Sequence, residues 1–219
     1  MSYLSWTTKW NSIVLMGESL VPNEFEMIIN FDPNNDDADQ QEVAFERMRF
    51  IINGIMNNSI LANVDNPLSA KLHNDYKSMV VTLPGEPGDQ LLGYVLMCKL
   101  NSVLDNVAVV EGLSISSRLG DNVRNWADSE DVPHLPFLHD NRIKDLTGDQ
   151  PWWFRSDAGC SDVVIATKKK ITVIKDQMLW EEIDLGWQPK PKKKVDSEPA
   201  QVINFPGWKP KVIQGGKER

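Results

Sequence analysis

Between Glu24 and Met56 the spacing of apolar residues changes from two to three or four, and that switch requires a strand running into a helix. In Glu24-Phe25-Glu26-Met27-Ile28-Ile29-Asn30-Phe31, residues Phe25, Met27, Ile29 and Phe31 share one face, the period of a half-buried strand. Residues 12–16 supply a partner strand before it. After the turn Asp32-Pro33-Asn34-Asn35-Asp36-Asp37, Phe45, Met48, Ile52 and Ile55 recur at helical intervals, which predicts an amphipathic helix over about 38–56. Asp36 or Asp37 can cap its free N–H groups, Glu42 lies in an early turn where negative charge is favoured, and Asn57-Asn58 can end it.

Asn66-Pro67-Leu68 opens a shorter helix to about Tyr76, because proline is at home in a first helical turn. Residues 79–83, 91–100 and 107–115 are β-rich, separated by Gly85-Glu86-Pro87-Gly88 and by Leu104-Asp105-Asn106, both competent turns. Sequential strands with short turns favour an antiparallel meander, and 91–100, apolar on both faces, reads as a central strand buried on both sides. Residues 118–156 are irregular and end in Pro151-Trp152-Trp153-Phe154; 162–167 and 171–174, divided by Lys168-Lys169-Lys170, read as a closing hairpin, with a last strand or turn at 177–183. The expected fold class is α+β, a mainly antiparallel sheet with one long and one short helix packed on one face and an extended C-terminal tail. Residues 1–187 form a single domain with an irregular 118–160 region, followed by the tail at 188–219.

Charge divides the chain at the same place. Residues 1–187 carry 28 Asp+Glu against 15 Lys+Arg, a net −13, while 188–219 carry 3 against 8, a net +5; together these make the −8 of the whole chain. An acidic body repels nucleic-acid phosphates, so binding of DNA or RNA would fall to the tail. The tail starts as a charged linker that proline stiffens, with Lys192, Lys193 and Lys194 in a row. Beyond it Val202, Ile203, Phe205, Trp208, Val212 and Ile213 are costly to leave in water, and an extended peptide with spaced apolar anchors suits strand addition or groove docking. Phe205 and Trp208 are the expected anchors, with Lys209 and Lys211 on the rim. Among the 8 tryptophans, which are otherwise assigned mostly to packing, Trp152 of the Trp152–Trp153 pair is a further candidate for partner binding.

Other chemistry is sparse. His134, His139 and Asp140 are the one crowding of imidazoles and a carboxylate, a low-weight candidate for metal or acid–base work, with ordinary loop histidines as the alternative. Asp32, Asn34 and Asp36 match the first oxygen positions of a calcium loop, but Asp37 stands where the turn needs glycine and Val43 where a glutamate should close the shell. Cys160 has no local imidazole to activate it, and with only two cysteines a disulfide framework is not expected. The common nucleophile-elbow, P-loop and dinucleotide motifs are absent, and no cofactor is expected. The longest uncharged apolar run, 91–98, is too short to cross a bilayer, so the expected setting is soluble and cytoplasmic, with no membrane partner.

Residues 32–58, an acidic Pro/Asn turn followed by the helix Glu42-Val43-Ala44-Phe45-Glu46-Arg47-Met48-Arg49-Phe50, resemble uncharacterised accessory proteins of bacteriophages. The resemblance covers about an eighth of the chain. It implies a phage protein acting in the bacterial cytoplasm or built into the particle, and it transfers no functional residue. The expected function is a non-enzymatic interaction or assembly protein docking through its tail to a protein partner or a neighbouring subunit. The alternatives are a single-stranded nucleic-acid binder using the tail lysines and tryptophans, and an enzyme with its site in the 118–160 loop.

Overall fold

Strand β1 (Leu4–Met16) and strand β2 (Ser19–Pro33) pair antiparallel along their whole length, from Leu4 opposite Phe31 to Met16 opposite Ser19. The two-residue loop between them begins with Gly17 at φ +60°, where a tight hairpin of this kind needs glycine. The structure is a computed structural model and describes residues 4–76, 79–139, 144–145, 149–166 and 171–186. The chain divides into Met1–Gln188 and Pro189–Arg219. The second unit lies outside the described residues, and with it Phe205, Trp208, Lys192, Lys193, Lys194, Lys209 and Lys211.

From β2 the chain enters α1 (Ala38–Arg49), whose first turn is capped by the Asp37 carboxylate accepting from the N–H groups of Asp39 and Gln40 at 3.1 and 3.3 Å. It continues through a π-helical turn, Phe50–Met56, so the helix expected over 38–56 is present with a change of winding near its end. Strand β3 (Ile60–Asn63) then lies parallel to β1, and after α2 (Pro67–Tyr76) strand β4 (Val80–Leu83) lies parallel to β3. The β3–β4 pairing follows a helical crossover through α2, which brings the chain back to start β4 from the same end, whereas β3 comes to lie beside the end of β1 after the antiparallel strand β2 and α1.

The stretch 91–100 is not a strand. It lies in α3 (Asp89–Leu104), in which every residue from Leu92 to Leu100 is buried. A short apolar run without a period is compatible with a buried strand or with a helix enclosed on all sides, and only the packing decides between them. Here the helix is enclosed on all sides: Gly93 sits so close to Leu113, Ile115 and Ala127 that an added Cβ would lie 3.2 Å from Ile115, while the opposite flank carries Lys99 toward residues 152–157. The expected meander therefore does not form, although strands exist where 79–83 and 107–115 placed them. Strand β5 (Ala108–Ser117) returns antiparallel to β2, β6 (Asn125–Asp128) pairs with β5, and the sheet order is β4-β3-β1-β2-β5-β6. The closing hairpin is β7 (Ser161–Ala166) with β8 (Ile171–Asp176), and 177–183 holds a single 3-10 turn at Trp180–Glu182.

The chain is thus α+β with a mainly antiparallel sheet. One face of the sheet, through Trp10, Val14, Phe25, Met27 and Ile29, packs on α1 and α3 in the main core. On the opposite side, Leu15, Ile60, Ala62 and Val80 alternate with residues of the main core and meet Leu68 and Leu72 of α2 in a second cluster.

Candidate functional site

Within the irregular 118–160 region, which one alternative reading of the sequence makes an enzyme loop, the turn at 152–157 closes over a buried lysine. Lys99 is fully buried, and its Nζ donates to the carbonyls of Trp152, Arg155 and Asp157 at 3.1, 3.0 and 2.6 Å. Burial holds its pKa below the ordinary lysine value, while Cys160, Asp157 and Asp162 act in the opposite sense. Three carbonyls in a fork are an ammonium site, so α3 clamps the 152–157 turn through one side chain.

Arg155 secures the same turn from its other side. Its guanidinium donates to Asp157 at 3.1 Å and to Asp162 at 2.7 Å, and Asp162, nearly inaccessible at 1% exposure, also accepts from the Trp152 N–H at 2.8 Å. Thr82 completes the connection: its hydroxyl accepts from the Asp162 N–H at 2.9 Å and its carbonyl accepts from the Trp152 indole at 2.6 Å. Trp152 is therefore a core residue with its only side-chain donor engaged. It presents no surface to a partner, which corrects the expectation that it binds one. Trp153 is likewise buried, its indole donating to the Leu138 carbonyl at 3.0 Å.

His134 is exposed on a 3-10 turn, and the His139 side chain and Asp140 lie outside the described residues. Among the described residues no group of three or more His, Cys, Asp or Glu is arranged to hold a metal ion. Asp37, where the calcium-loop match fails, acts as the helix cap just described. Cys160 is buried, and burial pushes its thiol up to about 12; the same cause pushes Cys98 to about 12. A thiol held protonated in this way is a poor nucleophile.

On the open sheet face the cations are paired with carboxylates rather than presented as a free basic patch. Glu26 accepts from Lys9 at 2.7 Å and from Arg124 at 2.5 Å, and Glu24 pairs with Arg118 at 2.9 Å, although Trp126 stands 62% exposed beside them. No helix among the described residues is long and apolar enough to cross a membrane.

The concave surface with the chemistry of a binding site lies elsewhere, at the mouth between the start of β1, the end of β2 and α1. It is a groove of about 410 Å³ lined by Leu4, Trp6, Phe31, Phe45, Met48 and Leu104, with Gln41 and Glu42 as polar members. Trp6 meets Phe45 edge-on at 5.3 Å, Phe31 lies 6.0 Å from Phe45, and Arg49 stacks over the Phe45 ring at 4.5 Å while pairing with Glu46 at 2.7 Å. The chain from 32 to 42, which forms one border, contains Asp32, Asp36, Asp37, Asp39 and Glu42 and no lysine or arginine. Sequence reasoning missed this site because Phe45 falls on the core stripe of α1. The available signal was Leu4 and Trp6, two large apolar residues on one face at an open strand end. A second, more polar hollow of about 500 Å³ lies between Arg155, Trp180 and Glu181, with Arg155 already engaged by two carboxylates.

No protein-family model matches the chain, and no curated protein matches it in sequence. Among solved structures, the uncharacterized protein WS1659 from Wolinella succinogenes is similar at 12% identity and a TM-score of 0.43, over 58% of this chain and 98% of that one. A likeness of that degree carries no argument about fold or function.

Proposed function

We propose that this protein is a non-enzymatic interaction or assembly factor that docks through its C-terminal segment to a protein partner or a neighbouring copy. The observation that carries this reading is the composition of residues 200–213, in which Val202, Ile203, Phe205, Trp208, Val212 and Ile213 follow a lysine-rich linker. Full burial of a side chain such as Phe205 is worth about 1.5–3 kcal/mol, so such a segment gains by finding a surface. Within the described residues two cations held in the interior of the turn at 152–157 support the same reading. Lys99 is engaged by three carbonyls and Arg155 by two carboxylates, arrangements that hold a fold together rather than turn over a substrate. The resemblance of residues 32–58 to bacteriophage accessory proteins supports a phage origin, with the protein working in the host cytoplasm or in the particle.

The test is the double substitution Phe205→Ala/Trp208→Ala in the full chain, assayed by sedimentation velocity and by pull-down from host extract. Loss of self-association or of a captured partner is expected, with far-UV circular dichroism unchanged. If both readouts match wild type, the tail is not the docking element. Binding of single-stranded DNA at low salt that disappears on Lys192→Gln/Lys193→Gln/Lys194→Gln would move the assignment to nucleic acid.

A further inference from the structure

The geometry points to the groove between β1, β2 and α1 as the receptor for residues 202–213 of a second copy of this chain. The inference rests on the reading that this segment is the docking element, and it names the surface that receives it. Chemistry matches on both sides. The groove offers an aromatic floor in Trp6, Phe31 and Phe45, and its 410 Å³ accommodates one large aromatic side chain with part of a neighbour. The segment offers Phe205 and Trp208 three positions apart in the middle, with Pro206 and Pro210 limiting its freedom before binding.

Charge matches in the same direction. The groove border from 32 to 42 carries five carboxylates and no basic residue, whereas Lys209 and Lys211 follow Trp208 closely. Asp37 and Asp39 lie at the α1 N-terminus, where they already offset the positive end of the helix, so the border stays attractive to a cation. Arg49, the cation nearest the floor, is paired with Glu46. A net −13 on residues 1–187 against +5 on 188–219 also makes pairing between copies favourable where body-to-body contact would repel. The 188–201 linker, rich in proline and lysine, spans up to about 40 Å when extended.

Two groove variants are suited to the test because they alter exposed positions: Ala38→Trp, which fills the mouth, and Asp39→Lys/Glu42→Lys, which takes the border from a net −5 to −1. The third variant, Trp208→Ala, removes the anchor. Sedimentation velocity of the full-length chains at low salt is expected to show wild type associating and each variant monomeric, or at least tenfold weaker. A mixture of a groove variant with Trp208→Ala should restore association, because one partner supplies an intact tail and the other an intact groove; that result also shows that both variants are folded. Groove variants that associate like wild type would overturn the receptor assignment while leaving the docking segment standing. Trp208→Ala associating like wild type would instead sink the docking segment itself. A wild type that stays monomeric at all concentrations, or a mixture that fails to associate, would refute a second copy as the occupant.

Discussion

Replacing Lys99 with methionine tests the clamp at the centre of the structure. Methionine keeps the length and apolar stem of lysine and deletes the ammonium, so the carbonyls of Trp152, Arg155 and Asp157 lose a shared donor at 3.1, 3.0 and 2.6 Å. A buried carbonyl left without a partner costs about 1–3 kcal/mol, which sets a gross loss of roughly 3–9 kcal/mol. Against this stands the relief of no longer burying a cation, worth several kcal/mol. The balance is tipped by the neighbours: Arg155, Asp157 and Asp162 leave one negative charge uncompensated once the ammonium is gone. Removing one member of such a buried set typically costs about 3–5 kcal/mol. We therefore expect Lys99→Met to lower unfolding stability by about 3 kcal/mol in urea titration, with a fall in melting temperature of roughly 6–12 °C for a chain of this size. The near-UV circular dichroism of Trp152 and Trp153 should change as the 152–157 turn loosens. A variant within about 0.5 kcal/mol of wild type, with an unchanged near-UV spectrum, would show that the turn is held without the lysine clamp.

Two further predictions follow from the same region. The Cys160 thiol, raised from 9.0 to about 12, stays protonated in the fold while the unfolded chain ionises, so its contribution is intact below pH 9 and is lost as pH rises through the interval between those values. Between pH 8 and pH 10 the loss amounts to about 1.4 kcal/mol, and Cys160→Ala should flatten the alkaline fall in stability by that amount; parallel pH profiles for the two proteins would refute a buried protonated thiol. At Gly159, an added Cβ would stand 1.7 Å from the Asp176 carbonyl oxygen, a backbone atom that cannot turn aside. Gly159→Ala should therefore cost about 3 kcal/mol or more and shift the amide resonances of β7 and β8, whereas a near-neutral change would mean that the hairpin can move away freely.

The groove shows how a site can be hidden in a legible fold. Phe45 reads correctly as part of the apolar stripe of α1, and Phe31 as part of the inward face of β2, but neither period says that the two leave an opening between them. That opening depends on Trp6, Phe31, Phe45 and Leu104 arriving from four separate segments. Lys99 is hidden for a similar reason. A single lysine ending an apolar run looks like a surface residue until the 152–157 carbonyls, more than fifty residues away, close over it.

From its own residues the chain determined what depends on neighbours a few positions apart: the two-residue period of β2, the three-and-four period of α1 with its Asp37 cap, the proline that opens α2, and the closing hairpin. Tertiary structure decided what depends on enclosure and return. It made 91–100 a helix, because a run apolar on every side has no periodicity to choose its own conformation and takes the one its surroundings enclose. It set β3 parallel to β1 after the β2 hairpin and α1 had returned the chain to that edge, and β4 parallel to β3 through the α2 crossover. It also turned Trp152 inward, because Thr82 and Asp162, far apart in sequence, offered an acceptor to its indole and one to its backbone N–H.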